Sequence, residues 1–275
     1  MTEILTLEHM AIVPTGPTLS MSVGAGQSLA VVGPSSSGKT HFLQVVAGIE
    51  RPAQGSVRIH GTLAIASADG VSRRTKVQAL IPRGDMTPRG LRVADLLYKM
   101  RLGEARYKPI GDLSPGQFAA YELLGPLVSD ASLILIDGQL DHLDPWALSD
   151  AMEIIRGLQG KGVSFVAATN RPDLIAQFDA VIVLKDKQVR FAGSIEELKR
   201  LGPPHTIQVT TAHQEGVRAL VSPFQVNVTQ TPDGIRYETA EGQQLAARML
   251  LEGYGDVQFV ISRPSTLEEV LLALF

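Results

Sequence analysis

Short, continuous runs of apolar residues recur in the first 200 positions of the chain. The runs at 28–32 (SLAVV), 133–136 (LILI) and 163–168 (VSFVAA) each follow polar or turn residues. Runs this short and this apolar are typical of parallel strands that are buried on both faces. A helical pattern starts at Lys39 and ends at Gly48. The pattern therefore predicts a parallel α/β sheet.

A turn-rich stretch follows these runs. A hairpin is predicted over 181–191, and the capping box 194–197 (SIEE) opens a helix. Gly202-Pro203-Pro204 then interrupts the chain. We therefore expect two domains, with boundaries at 1–202 and 205–275.

The residues after this interruption follow a different order of elements. The order is β-α-β-β-α-β, which is that of a split, ferredoxin-like α+β unit. A further helix closes the chain. The predicted strands are 206–210, 224–230, 235–239 and 256–262, and the predicted helices are about 213–220, 241–252 and 266–275.

Composition narrows the classes of function. The chain has 275 residues, of which 44% are hydrophobic and 19% charged, and its net charge is -3. Without a basic surplus we expect no nucleic-acid partner. The absence of cysteine excludes disulfides and thiolate sites. The first ten residues do not resemble a secretory signal, and no apolar run approaches the roughly 20 residues of a membrane span. A membrane role is therefore expected only through a partner.

The most informative motif is GPSSSGKT at 33–40. It fits G-x-x-x-x-G-K-[ST], follows a predicted strand and opens a predicted helix. In that context the loop N–H groups cradle phosphates, Lys39 faces the β- and γ-phosphates, and the Thr40 hydroxyl holds Mg²⁺. A chance glycine loop with a solvated lysine does not account for the context. The predicted nucleotide-binding residues are Gly33, Pro34, Ser35, Ser36, Ser37, Gly38, Lys39 and Thr40.

Five segments together resemble the ATP-binding cassette (ABC) ATPases, over about residues 3–200. They are GPSSSGKT (33–40), GIERPAQGSVRIHG (48–61), LSPGQ (113–117), LILIDGQLDHLD (133–144) and VLKDKQVRFAG (183–193). The resemblance implies an ABC-type P-loop NTPase domain with a small helical part at about 84–128, and it implies ATP as the nucleotide.

The same resemblance implies roles for further residues. In the family two subunits sandwich ATP head to tail, so Ser114, Gly116 and Gln117 would meet the γ-phosphate held by a partner subunit. Asp137 matches the aspartate that supports Mg²⁺. His41 follows Thr40 and is expected near the phosphates. The expected metal ligands are thus Thr40 and Asp137.

A rival resemblance is to the AAA+ ATPases. Residues 168–173 (ATNRPD) are similar to their sensor segment. The match is short, and no second acidic residue follows Asp137. The ABC-like signature upstream of Asp137 therefore favours the ABC family.

The chain departs from the ABC pattern at several positions. Gly138 stands where the family has its catalytic glutamate, and Asn170 where it has its switch histidine. Loss of a positioned acid–base group costs roughly 10²- to 10⁴-fold in rate. Arg83 stands at the glutamine that links the γ-phosphate to the permease, and Gln78 is out of register. No aromatic residue precedes Phe42, so the base preference is not fixed.

These departures predict that ATP hydrolysis depends mainly on a partner subunit. We expect an ATP-binding subunit that binds Mg-ATP at a dimer interface, hydrolyses it slowly in its own site, and pairs with a catalytically intact ABC subunit and an integral-membrane permease. A heterodimer is favoured and a homodimer is possible. The expected location is cytoplasmic, peripheral at the inner face of the cell membrane through partner subunits. The alternative is a non-transport ABC protein that acts as a nucleotide-gated regulatory or scaffold subunit.

The end of the chain carries one further resemblance. Residues 262–270 (SRPSTLEEV) are similar to the close of ATPase subunits in exporter-like systems. The same residues also fit a plain capping box, Ser265-x-x-Glu268. The resemblance implies an exporter-type subunit, whereas the capping box implies only a helix.

Overall fold

A computed structural model of the chain describes the residues on which the fold rests. The described residues are 2–81, 84–202, 205–210, 214–231, 234–239, 241–252, 259–263 and 266–275. The chain divides into two compact units, 1–195 and 196–275. The domain boundary expected between 202 and 205 stays a prediction.

The first unit is built around a six-stranded, mostly parallel sheet, and the apolar runs predicted such a parallel α/β sheet. Its strands, in spatial order, are β5 (Leu63–Ile65), β6 (Leu133–Asp137), β7 (Ser164–Thr169), β3 (Ser28–Val32), β8 (Ala180–Lys185) and β9 (Gln188–Ser194). All neighbours are parallel except β8 and β9, which form the predicted hairpin. Every residue of β3 and β7 is buried, which explains their unbroken apolar sequences.

A second, antiparallel sheet belongs to the same unit. Its strands, in spatial order, are β2 (Leu19–Gly24), β1 (Glu3–Ala11) and β4 (Gln54–Ile59). Apolar side chains of β1, β3, β6 and the first helix share one hydrophobic core. Each fully buried Leu or Val in such a core contributes roughly 1.5–3 kcal/mol. The core thus fixes β3 at the centre of the unit.

Helices complete the first unit. They are α1 (Lys39–Val46), α2 (Val93–Lys99), α3 (Pro115–Val128), α4 (Pro145–Gln159) and α5 (Pro172–Ile175), and α6 (Ile195–Arg200) begins where the two units divide. Short 3₁₀ turns lie at 77–80, 110–112 and 139–142. The predicted helical part, 84–128, thus contains α2 and α3. Salt bridges Lys99–Glu153 and Arg101–Asp150 join the α2 region to α4, at 2.6 and 3.4 Å.

The second unit has the predicted β-α-β-β-α-β order. Its elements are β10 (His205–Thr210), α7 (Gln214–Val221), β11 (Asn227–Thr231), β12 (Gly234–Thr239), α8 (Gly242–Glu252), β13 (Phe259–Arg263) and the closing helix α9 (Leu267–Leu274). The strands form one antiparallel sheet in the order β11-β12-β10-β13. This is the split, ferredoxin-like arrangement.

Two local predictions in the second unit need correction. The strand predicted at 224–230 begins only at Asn227, because Phe224 and Val226 pack on the core from the turn before it. Thr266, not Ser265, caps α9: its hydroxyl accepts the Glu269 N–H at 3.3 Å, and the Glu269 carboxylate accepts the Thr266 N–H at 2.9 Å. Ser265 itself lies outside the described residues. Within the described ranges, no helix combines the length and apolarity that a membrane crossing requires.

Candidate nucleotide site

The phosphate loop lies between β3 and α1, where the motif predicts it. Ser36 and Gly38 have left-handed backbone angles, with φ of 64° and 98°. The Ser37 N–H donates to the Pro34 carbonyl at 3.1 Å, which closes the turn. Successive N–H groups in such a turn form a concave nest, and the N-terminus of α1 adds a partial positive charge. The loop therefore has the form of an anion site.

Gly33 begins the loop under tight packing. A Cβ added to Gly33 would lie 2.2 Å from the Leu184 carbonyl oxygen and 2.4 Å from Ser37 Oγ. The Ser37 hydroxyl is buried and has no hydrogen-bond partner among the described residues. Because only glycine fits at 33 and a buried hydroxyl remains unsatisfied, the loop fits a phosphate group that approaches its backbone closely.

Lys39 folds back over the loop. Its ammonium donates to the carbonyls of Gly33 at 2.7 Å and Pro34 at 2.9 Å. Burial lowers the pKa of Lys39 from its usual value, while the carboxylates of Asp141 and Asp137 act to raise it. The ammonium group of Lys39 is therefore held by two neutral carbonyl oxygens. The negatively charged oxygens of a phosphate would bind it more strongly and can replace them.

A cavity of about 260 Å³ adjoins the loop on the side of β5 and β6. Thr40 and Asp137 line it, together with Ser67, Asp69 and Glu122. Among the described residues, no group of three or more histidine, aspartate or glutamate side chains is arranged to hold a metal alone. A hydroxyl and one carboxylate are what Mg²⁺ needs from a protein when phosphates and water supply the rest. Thr40 and Asp137 therefore fit Mg²⁺ as bound together with a nucleotide.

Gln139 connects the Asp137 side of the cavity to two other elements. Its Oε1 accepts the Asp137 N–H at 2.8 Å, and its Nε2 donates to the Ala66 carbonyl at 2.9 Å and to Glu122 at 3.5 Å. Glu122 also accepts the Ala68 N–H at 3.3 Å. The side chain of Gln139 is buried. This network joins β6, the segment after β5 and α3 beside Asp137.

Replacement of Gln139 by methionine should lower the free energy of unfolding by about 1–3 kcal/mol, because the buried Ala66 carbonyl and the half-buried Asp137 N–H would lose their partner. We also expect weaker Mg-ATP binding, because the backbone of Asp137 is no longer fixed. Urea unfolding and calorimetric titration measure the two effects. Gln177→Met is the matched control, since Gln177 is exposed and its side chain accepts a bond from Arg156 at the surface. Equal effects of both variants would contradict the role of the network.

Gly138 and Asn170 occupy the region beyond Asp137. Gly138 has φ 86° and ψ -3°, and nothing lies within 4 Å of the Cβ that a side chain would add. Asp141 accepts hydrogen bonds from the Thr169 hydroxyl and from the Asn170 N–H, the latter at 3.0 Å. The ends of β6 and β7 are thus joined through Asp141, and neither Gly138 nor Asn170 brings an acid or an imidazole.

Ser114, Gly116 and Gln117 form the start of α3. The Ser114 hydroxyl accepts the Gln117 N–H at 3.3 Å, and the Gln117 side chain accepts the Ser114 N–H at 3.2 Å. Both residues are therefore committed to a capping box at an exposed helix N-terminus. Gly116 lies against His142, whose carbonyl would be 3.3 Å from an added Cβ. Such a helix end can receive an anion from outside the chain.

His41, which was expected near the phosphates, and Arg83 are the remaining predicted positions. His41 pairs with Glu50 at 3.3 Å, beyond the far end of α1. Arg83 lies outside the described residues. Ser67 and Asp69, which no sequence motif marks, follow β5 and line the cavity beside Thr40. The only signal for them was their place after a strand, and β5, with just three residues, is too short to be predicted.

A phosphate loop between a buried strand and a helix is the arrangement that defines P-loop nucleotide-binding proteins. A family profile described as "ABC transporter" matches residues 17–140. The lipoprotein-releasing system ATP-binding protein LolD of Chromohalobacter salexigens is 31% identical over 193 residues, 60% of this chain and 81% of that protein. The chain therefore belongs to the ATP-binding cassette family of ABC transporter ATPases.

Other relatives extend the likeness. The Fe(3+) ions import ATP-binding protein FbpC of Rhizobium etli is 28% identical, with 89% of this chain and 82% of that protein covered. The macrolide export ATP-binding/permease protein MacB of Shigella flexneri is 25% identical over 77% of this chain and 36% of that protein. A nucleotide-free ATP-binding cassette from an ABC transporter superposes with a TM-score of 0.59 at 20% identity, over 72% of this chain and 94% of that one.

Proposed function

We propose that this chain is an ATP-binding subunit of an ABC transporter that binds Mg-ATP at a dimer interface and hydrolyses it slowly in its own site. It pairs with a catalytically intact ABC subunit and with an integral-membrane permease. The observation that carries the proposal is the contrast between a complete phosphate loop with Asp137 and the glycine that follows Asp137.

Slow hydrolysis rests on the surroundings of Gly138. Among the described residues, no atom from outside Gly138 and its two chain neighbours lies within 4 Å of the position that a Cβ on Gly138 would occupy, and Gly138 itself brings no carboxylate. Asp141, the next carboxylate along the chain, accepts hydrogen bonds from Thr169 and Asn170. Loss of general-base catalysis lowers the rate by roughly 10²- to 10⁴-fold.

Pairing with an intact subunit rests on the signature segment. Ser114 and Gly116 are presented at a capped helix N-terminus, which favours negative charge. The chain thus keeps the signature segment that would contact ATP bound to a partner subunit, and it lacks the catalytic glutamate that its own site would need. We propose a heterodimer on the inner face of the membrane, held there by the permease.

The direction of transport is a separate proposal. The C-terminal resemblance favours an exporter type, and relatives named for release, export and import all match the chain. The ferredoxin-like unit would then serve dimerisation or regulation. Vesicles that contain the purified complex, oriented with the ATP sites outward, would report the direction.

The isolated chain should bind Mg-ATP and turn it over at least about 100-fold more slowly than the typical enzyme rate of about 10 s⁻¹. Calorimetric titration and a coupled phosphate assay measure these quantities. Lys39→Met is the control for contaminating ATPases, because any activity that survives in it does not come from this loop. Ordinary turnover that Lys39→Met abolishes would contradict the proposal.

The partners are tested by isolation from membranes. The tagged chain should be recovered in mild detergent, with ATP present, together with a permease and a glutamate-bearing ABC subunit. Recovery with non-membrane partners alone would instead support the regulatory or scaffold function. That alternative is favoured by the helical part between β5 and β6, where the described residues contain only two α-helices.

A further inference from the structure

The turn between β8 and β9 is unusual in composition. Lys185 pairs with Gln188, so only Asp186 and Lys187 form the turn. Both have left-handed backbone angles, with φ of 51° and 59°. Two-residue hairpins of this kind favour glycine at the second position, because a Cβ is strained there. Aspartate tolerates the conformation better than most residues, whereas lysine does not, so Lys187 carries most of the strain.

Lys187 lies against the phosphate loop. Its N–H donates to the Ser37 carbonyl at 2.9 Å. A Cβ added to Gly38 would meet Cγ, Cα and Cβ of Lys187 at 3.0, 3.2 and 3.4 Å, which are the three nearest atoms. The backbone and the aliphatic stem of Lys187 therefore both cover the outer side of residues 37 and 38.

The Ser37 carbonyl and the Gly38 N–H belong to one peptide group. Because a trans peptide is planar, its carbonyl and N–H point in opposite directions, so a bond that fixes one fixes the other. In an anion nest the N–H groups face the ligand and the carbonyls face away. Gly38 is the residue with the most freedom to turn this peptide over. The contact from Lys187 thus decides where the Gly38 N–H points.

We propose that Lys187 is a positioning residue of the phosphate loop: its aliphatic stem over Gly38 reinforces the backbone bond to Ser37, and so holds the peptide between Ser37 and Gly38 with the N–H toward the bound phosphate. The proposal rests on the proposed function, in which this loop binds Mg-ATP. Strain at Lys187 is then the local cost of a preordered loop. The ammonium group has no part in the role.

Lys187→Gly separates the positioning role from fold stability, because we expect the affinity for Mg-ATP to fall without a fall in the melting temperature. The melting temperature without nucleotide should stay or rise, since glycine relieves the left-handed strain. Affinity for Mg-ATP should fall about fivefold, because the nucleotide must order a peptide that was preordered. Amide hydrogen exchange of residues 36–40 in the nucleotide-free chain should become faster.

Matched variants define the outcome. Asp186→Gly relieves strain in the same turn without touching Gly38, and it should leave affinity within about twofold of the wild type. Lys187→Met keeps the stem without the charge and should bind like the wild type; a loss equal to that of Lys187→Gly would overturn the proposal in favour of a charge effect. Unchanged affinity in Lys187→Gly overturns the positioning role alone. Failure of the wild-type chain to bind Mg-ATP overturns the proposed function, and the positioning role with it.

Discussion

Replacement of Gly33 by alanine should weaken Mg-ATP binding by on the order of 100-fold or more, because the loop would lose two or three charge-assisted bonds to phosphate. The added methyl group would overlap the Leu184 carbonyl, at 2.2 Å, and Ser37 Oγ, at 2.4 Å. The Leu184 carbonyl belongs to β8, which pairs with strands on both sides and cannot yield. The phosphate loop must therefore move instead.

Calorimetric titration with Mg-ATP measures this loss, and circular dichroism confirms that the variant is folded. Gly157→Ala is the matched control: Gly157 is exposed on α4, and nothing lies within 4 Å of its added Cβ. That control should leave binding intact and stabilise the helix by up to about 1 kcal/mol. Wild-type affinity in Gly33→Ala would show that the loop does not bind phosphate closely.

Loss of the carboxylate at Glu269 should destabilise the second unit by about 2 kcal/mol, because charge-assisted bonds contribute roughly 1.5–3 kcal/mol. Glu269 accepts two bonds from Arg263 at 2.9 Å and lies 3.2 Å from Arg236, with only 15% of its side chain exposed. It also closes the cap of α9 with Thr266. Urea unfolding of Glu269→Gln measures the effect. Glu268→Gln, in the same helical turn but exposed, should change stability by less than about 0.5 kcal/mol.

The same group gives the second unit a pH dependence. Burial acts to raise the pKa of Glu269, but the bonds from Arg263 and Thr266 and the charge of Arg236 outweigh burial and hold the pKa below its usual value. Since the folded pKa is the lower one, the stabilisation is complete above the unfolded pKa of about 4.3 and is lost as the pH falls through the folded pKa. Glu269→Gln should flatten this acid limb of the stability curve. An unchanged limb would assign acid sensitivity to other carboxylates.

The phosphate loop, the buried strands and the order of the second unit were predictable because each depends on neighbours in sequence. A continuous apolar run predicts β3, and eight consecutive residues carry the loop. The helix cap was placed one residue early, at Ser265, because two overlapping Ser/Thr-x-x-Glu patterns occur there, and only the backbone decides between them. Local rules fix the existence of an element better than its ends.

The cavity beside Thr40 was not predictable in the same way. Besides Thr40, Gln44 and Asp137, its polar lining comes from the segment after β5, from α3 and from the turn after β6, which are far apart in sequence. The sequence does not show that Gln139 is buried. Once the structure shows it, a buried amide is expected to have hydrogen-bond partners. Which groups satisfy it depends on how the elements pack. His41 is the opposite case, a residue next to Thr40 in sequence. Its ring pairs with Glu50, and its place in the sequence did not predict that contact.

The left-handed backbone at Gly138 has an evolutionary consequence. A residue with a Cβ enters that conformation at a cost of about 1–2 kcal/mol, so a glutamate gained there by mutation would begin strained. Its carboxylate would also start from a backbone direction that differs from an ordinary strand end. A glutamate at this position would therefore need a change of backbone conformation as well as the substitution before its carboxylate could act from an ordinary strand end. Under the proposed function, this conformational penalty would oppose the return of a catalytic acid and so preserve dependence on the partner subunit.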